Sequence, residues 1–120
     1  ASVHVPADRR SFAPEEAASV WCCPRCLRTF ALDGEESSDA ERDVDLPAAI
    51  PDGDGGVAVV LLLGYLDSLA LHRTTIQSLL EHAESAGTDV FLALDRLDAD
   101  DSVDAHIDLG RRRRQLESLL

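Results

Sequence analysis

Three cysteines lie close together near the start of the chain, at Cys22, Cys23 and Cys26. The spacing Cys23-Pro-Arg-Cys26 allows two thiolates to bind one Zn²⁺ ion from a tight turn whose amides point at the sulfur atoms. A structural zinc site needs four ligands, and the sequence contains only one pair at this spacing. The pattern therefore predicts a zinc-ribbon-like knuckle with an incomplete ligand set.

The missing ligands have three candidate sources. Cys22 and His4 would complete a Cys₃His site within the chain. A second cysteine pair ahead of Ala1 would complete a zinc ribbon, and a partner chain is the third source. If none of these applies, the three cysteines are thiols without a metal. The residues alone leave these alternatives open.

Thiol redox chemistry is an alternative use of Cys23 and Cys26, because Cys-Pro-x-Cys also occurs in glutaredoxin-like active sites. In those sites the pair follows a strand and opens a helix within a βαβ unit. Here Cys26 is followed by a strand-like segment, Leu27–Leu32, and then by an acidic stretch. That order disfavours redox catalysis. The sequence shows no catalytic acid–base or nucleophile constellation, so we predict a protein that is not an enzyme.

The knuckle is predicted to lie between strands. Ser2–Val5, Ser19–Cys22 and Leu27–Leu32 have strand character, and the cysteine turn joins the last two as a hairpin. The acidic residues 33–45 contain almost no apolar side chains and are interpreted as a linker. We therefore divide the chain into a β-hairpin knuckle module (residues 1–32), an acidic linker (33–45) and a helical domain (46–120).

Helical patterns follow the linker. Val57–Leu71 is apolar nearly all round, which predicts a helix either central to a bundle or buried in a homodimer interface. Thr74–Ala86 is amphipathic and ends at Gly87. Thr88 and Asp108 are predicted N-caps of two further helices. The expected fold class is α+β, with the small N-terminal module packed on or tethered to a bundle of three to four helices.

The charge balance indicates the habitat. There are 23 acidic residues against 11 basic ones, all of them Arg, and the net charge is −12. Such a chain is repelled by phosphate, which excludes DNA wrapping and binding to an anionic membrane. The longest apolar run, Val57–Leu66, is too short to span a bilayer. Acid excess without Lys is typical of a halophilic protein, so we predict a cytoplasmic protein of a salt-accumulating organism.

The two ends of the chain do not have a net negative charge. Residues 1–32 have a net charge of +1 and residues 111–120 a net charge of +3. We therefore expect contact surfaces for a protein partner, or alternatively for RNA, at the two ends. Their candidate residues are Arg25 and Arg28 beside the cysteines and Arg111, Arg112, Arg113 and Arg114 in the last helix.

The four C-terminal arginines occupy a first helical turn, where the helix dipole disfavours cations. Ion pairs with the upstream acidic residues are expected to compensate, and the candidates are Asp98, Asp100, Asp101, Asp104 and Asp108. His72, His82 and His106 lie apart on different predicted segments and are interpreted as partly exposed residues rather than ligands.

Several short segments together resemble a small, uncharacterised haloarchaeal family with a zinc-ribbon-like N-terminus and a helical C-terminal part. They are Val3–Arg10, Cys23–Arg28, Leu66–Arg73, Leu94–Leu97 and Leu109–Leu116. The resemblance implies a first cysteine pair just ahead of the strand that matches Ser2–Val5, at a position that would precede Ala1. It implies no known activity.

The charge predicts salt-dependent folding. At molar salt the Debye length is about 3 Å and the carboxylates are screened from one another, whereas at about 10 mM it is about 30 Å. Self-repulsion should then unfold the chain. Circular dichroism during dialysis from molar to about 10 mM salt should show loss of helix. Full helicity at the low concentration would contradict the halophilic interpretation.

Overall fold

The computed structural model describes residues 2–32 and 46–119. Within them the chain forms a three-stranded antiparallel sheet followed by four α-helices, which confirms the α+β prediction. The elements are β1 (Ser2–His4), β2 (Ser19–Cys22), β3 (Thr29–Ala31), α1 (Asp54–Leu63), α2 (Arg73–Ser85), α3 (Val90–Ala99) and α4 (Leu109–Leu119). Shorter 3₁₀ segments cover Ala7–Phe12, Pro14–Glu16 and Leu66–His72. The predicted acidic linker, 33–45, lies outside the described residues.

The sheet has the order β1-β2-β3, and Trp21 of β2 pairs with Ser2 on one side and with Phe30 on the other. Alternation along β2 sends Val20 and Cys22 into the core, whereas the intervening Trp21 lies on the opposite face. The predicted second strand is confirmed with its bounds, and the first ends one residue earlier than predicted, at His4. The third is shorter than predicted, because only Thr29–Ala31 of Leu27–Leu32 pairs as strand.

Helix α1 is the centre of the fold. Eight of its ten residues are buried, which places it inside this chain's own core. The prediction that the helix continues to Leu71 was wrong: α1 ends at Leu63, and the chain turns by 89° into Leu66–Ser85. The backbone of Gly64 lies close to Thr29 of β3, and the turn brings Asp67 to the surface. A straight continuation would have carried this carboxylate along the buried helix axis.

The N-terminal module is packed on the helices. Val5 and Val20 belong to the same hydrophobic cluster as the buried residues of α1. The Tyr65 hydroxyl, just after α1, donates a 2.6 Å hydrogen bond to the Phe12 carbonyl, and burial raises the pKa of this tyrosine. One hydrophobic core therefore serves both parts of the chain.

The later helices follow the sequence pattern closely. Ile76, Leu79 and the other predicted apolar positions of α2 are buried, and the helix ends before Gly87 with its φ of +80°. The prediction that Thr88 is the N-cap of α3 was wrong by one residue. The N-cap is Asp89, whose carboxylate accepts a hydrogen bond from the Leu92 amide at 3.1 Å. The Thr88 hydroxyl instead faces Gly55 of α1, where only a glycine leaves room for it.

Among the described residues, no single helix combines the length and apolar character needed to cross a membrane. The bent pair formed by α1 and the segment Leu66–Ser85 meets that requirement by length and composition only.

Gly56 tests the packing at the start of α1. A Cβ at this position would collide with the backbone carbonyl oxygen of Pro51. Gly56→Ala should therefore lower the free energy of unfolding by about 2 kcal/mol, although Gly→Ala within a helix usually raises it by up to about 1 kcal/mol. Gly110→Ala in α4 is the control, because the three atoms nearest to its Cβ would be side-chain atoms, of Asp98 at 3.3 Å, Arg114 at 3.5 Å and Asp108 at 3.8 Å. Denaturant unfolding at molar salt measures both; equal effects would contradict the proposed collision.

Candidate functional site

The knuckle turn connects β2 to β3 and holds two cysteines at the surface. The Cys23 amide donates to the Arg28 carbonyl at 2.9 Å, and the Leu27 amide donates to the Cys23 carbonyl at 2.9 Å. The Cys26 amide points at the Cys23 sulfur at a distance of 3.5 Å. Cys23 and Cys26 are both partly exposed thiols. This arrangement of an amide donating to sulfur in a hairpin turn is the one expected for thiolate metal ligands.

Leu27 closes the turn in a strained conformation. Its φ of 65° lies in the left-handed region that side chains other than glycine rarely adopt. The side chain is nonetheless fully buried in the core. Burial of the leucine thus offsets the backbone strain and fixes the turn that carries the two exposed cysteines.

The three sulfur atoms have different environments. The Cys26 amide, followed by smaller contributions from the Arg25 amide and the Cys26 thiol, holds the pKa of the Cys23 thiol below its ordinary value. Cys22 is fully buried within the hydrophobic core, and this burial raises its pKa to about 12. A thiolate is the species that binds metal or attacks a disulfide. The chemistry of the turn therefore belongs to the pair Cys23 and Cys26.

The two predicted additional ligands lie elsewhere. Cys22 points into the core, and His4 is an exposed residue at the end of β1, paired with Ser19. In residues 2–32 and 46–119, no group of three or more His, Cys, Asp or Glu side chains is placed to bind a metal ion. In the described part of the chain, the turn therefore brings two thiols together without a third candidate ligand beside them.

The outer face of the sheet beside the knuckle carries an aromatic pair. Trp21 and Phe30 are directly paired across β2 and β3, with ring centroids 6.5 Å apart. Phe30 is 46% exposed, which is high for so large an apolar side chain. Arg25 and Arg28 of the knuckle are also exposed. Aromatic rings next to arginines are the residues most enriched at protein-binding surfaces.

The C-terminal arginines are divided in their roles. Arg113 forms ion pairs of 2.8 Å with Asp95 of α3 and with Glu117, and its guanidinium lies 5.2 Å from the centre of the Phe91 ring. The Arg112 side chain donates to Gln115 at 2.9 Å. Arg111 and Arg114 are exposed.

The ion pairs of Arg113 involve carboxylates other than the predicted ones. The carboxylates that pair with Arg113 are Asp95 and Glu117, and neither belongs to the five upstream candidates. Of those five, Asp108 has the predicted role of N-cap, because it accepts from the Arg111 amide at 3.0 Å. Asp95 lies on another helix, and only the packing of α3 on α4 brings it to Arg113. Glu117 lies four residues after Arg113 in the same helix, which is a local spacing that the sequence does show.

The α3–α4 loop contacts the knuckle, which no sequence pattern indicated. The Asp104 amide donates to the Arg25 carbonyl at 2.7 Å, and the His106 amide donates to the Cys26 carbonyl at 3.0 Å. The His106 ring contacts the same carbonyl through Nδ1 at 2.7 Å. These are mostly backbone contacts between segments about 80 residues apart, so residue types carry almost no signal for them.

Comparison with known families gives one match. The whole chain, residues 1–120, matches the model of a family of unknown function, DUF6276. The chain belongs to this family. The membership confirms the resemblance to an uncharacterised family. No curated protein and no solved structure matches the chain significantly.

The two neighbouring cysteines should differ sharply in reactivity. Iodoacetamide at neutral pH should modify Cys23 faster than an ordinary thiol, because its pKa is lowered, and should leave the buried Cys22 intact until the protein unfolds. Cleavage after Arg10, Arg25 and Arg28 gives one peptide with Cys22 and Cys23 and another with Cys26, so fragment-ion mass spectra assign each site. Equal labelling of Cys22 and Cys23 in folded protein would contradict the assigned environments.

Proposed function

We propose that this protein is a non-enzymatic adaptor of a salt-rich cytoplasm. It binds another protein through the outer face of its sheet, and Cys23 and Cys26 are two ligands of a structural zinc ion beside that face. The observation that carries the proposal is the adjacency of an aromatic pair whose Phe30 is exposed, two exposed arginines and a thiol pair with the hydrogen-bonding pattern of a zinc knuckle.

The donor set fits zinc in kind and falls short in number. The lowered pKa of the Cys23 thiol and the amide aimed at its sulfur favour the thiolate, the form that zinc binds. A structural zinc site needs two ligands more than this pair supplies. The start of β1 lies near the knuckle, since Ser2 pairs with Trp21, one residue before Cys22. When bound, zinc supplies a rigid cross-link and no reaction step.

The neighbouring charges favour a protein partner with an acidic surface. Residues 1–32 have a net charge of +1 in a chain of net charge −12, so Arg25 and Arg28 belong to a segment that is not itself acidic. Complementary charge steers association and suppresses incorrect partners. Trp21 and Phe30 would supply the apolar anchor, because aromatic side chains carry much of the energy at such interfaces.

RNA binding and thiol redox chemistry are less favoured uses of these residues. Arg113 is held by Asp95 and Glu117, which reduces the cationic surface that α4 presents to phosphate. The cysteine pair lies in a turn between two strands and does not open a helix, unlike the pair of a glutaredoxin-like site.

Photocross-linking tests the contact face. Benzoylphenylalanine replaces Phe30 in one protein and Leu92 in the other, because Leu92 is 45% exposed on α3 and Phe30 is 46% exposed. In cells or lysate at native salt, the label at position 30 should give a discrete protein adduct, and the label at position 92 should not. The double variant Cys23→Ser/Cys26→Ser should reduce the adduct yield by about tenfold, equivalent to about 1.4 kcal/mol.

Two outcomes contradict the proposal. Equal adducts from both positions would show that exposure alone determines cross-linking. An adduct at position 30 that ribonuclease removes would replace the protein partner with RNA.

A further inference from the structure

An open groove of about 450 Å³ lies between the 3₁₀ segment Leu66–His72 and helix α4. One wall is this segment, and the other is the face of α4 that ends at Leu119. Both walls are anchored in the core, because Leu69 and Leu116 are buried. The Arg73 guanidinium donates to the Leu119 carbonyl at 3.0 Å and ties the ends of the two walls together. The groove is therefore a fixed feature of the fold.

Leu71 lines this groove and is nevertheless 83% exposed. Among the described residues the next most exposed large apolar side chains are Phe30 and Leu92, at 46% and 45%. Single exposed leucines are common on protein surfaces, but this one borders a concave surface that also includes Leu69 and Leu119. The patch thus combines a protruding apolar side chain with a hollow beside it.

The charged residues that line the groove are one carboxylate and one guanidinium. Asp67 lies on the wall formed by the 3₁₀ segment, and Arg112 lies on the wall formed by α4. Among the described residues neither takes part in an ion pair, although Arg112 donates a hydrogen bond to Gln115. Each wall therefore carries a charge that the opposite wall attracts.

We propose that this groove is the interface of a homodimer and that its occupant is the same groove of a second copy. A symmetric dimer uses one self-complementary patch on both copies. A two-fold axis that runs along the groove places each wall of one copy over the opposite wall of the other. Asp67 of one copy then faces Arg112 of the other, and this contact occurs twice. Leu71 of each copy packs against the α4 wall of the other.

The charge distribution favours this surface for self-association. Two copies with a net charge of −12 repel one another, and the repulsion is weakest where basic residues balance the acidic ones. Residues 111–120, which include one wall of the groove, have a net charge of +3. This interface differs from the predicted one through Val57–Leu71, because α1 stays within its own core and only the exposed end, Leu71, takes part. Self-association through α4 requires neither the cysteines nor the outer face of the sheet.

Sedimentation equilibrium at molar salt, where repulsion between copies is screened, tests the apolar contact. The wild type should form a dimer. Leu71→Ser should raise the dissociation constant by about a hundredfold, because a loss of about tenfold for one leucine enters twice in a symmetric dimer. Leu92→Ser is the matched control, since Leu92 is 45% exposed on α3 and does not line the groove. This control should dimerise like the wild type, and both variants should keep the wild-type circular dichroism.

Charge reversal tests the pairing of the two walls. Asp67→Arg gives a groove with two cations, and Arg112→Asp gives a groove with two carboxylates. Each variant alone should dimerise at least about tenfold more weakly than the wild type, because like charges then face one another. Partly buried charges are screened much less than exposed ones, so the effect persists at molar salt. An equimolar mixture of the two variants should associate as tightly as the wild type, because both contacts again join opposite charges.

Three results would overturn the proposed dimer. A wild type that stays monomeric at high micromolar concentration would show that a second copy does not fill the groove, and would leave it to another protein or to a small ligand. A dimer that Leu71→Ser leaves intact would use a different surface. If the mixture of charge variants associates no better than either variant alone, the symmetric pairing of Asp67 with Arg112 is wrong. Should a charge variant fail to fold, the comparison of Leu71→Ser with Leu92→Ser decides.

Discussion

The burial requirement of α1 determines the architecture of this protein. A helix of ten residues with eight of them buried has no side that can face water, so other elements must cover it on every side. Part of that cover comes from α2, and the sheet adds core residues such as Val5 and Val20. The turn after Leu63 follows from the same constraint, because the next polar side chain, Asp67, has to reach the surface. The apolar composition that also suggested a dimer interface is thus accommodated within a single chain.

Covering α1 with the sheet also determines which cysteines are available for chemistry. Successive side chains of β2 point to opposite faces of the sheet. Because Val20 and Cys22 point into the core, Trp21 lies on the outer face. Cys23 lies beyond the end of β2, so the alternation of the strand does not determine its direction. Like Cys26, it is partly exposed at the surface. One packing requirement therefore buries one sulfur and exposes the two others. It also places an aromatic pair on the outer face beside them.

Features encoded locally were predictable and those encoded by packing were not. Strand β2, the apolar face of α2 and the cap of α4 by Asp108 each depend on residues within a few positions, and all three are as predicted. The end of α1 was mispredicted because composition shows how apolar a segment is and not where the surface lies. Asp95 was missed as a partner of Arg113 for a similar reason, since only the packing of α3 on α4 brings the two side chains within 2.8 Å.

The candidate site likewise combines a local pattern that the sequence shows with packing contacts that it does not show. Its thiol pair is visible in the sequence because Cys-x-x-Cys is a short pattern whose spacing encodes a turn. Its support from the α3–α4 loop is invisible, because the atoms involved are mostly backbone amides and carbonyls that every residue possesses. His106 contributes a side chain to these contacts, but nothing in the sequence around it distinguishes it from an ordinary exposed histidine. This loop is acidic, and its carboxylates, such as Asp104, are exposed. Its backbone nevertheless forms hydrogen bonds with the knuckle. A loop can thus keep an acidic surface and still support a site through its main chain.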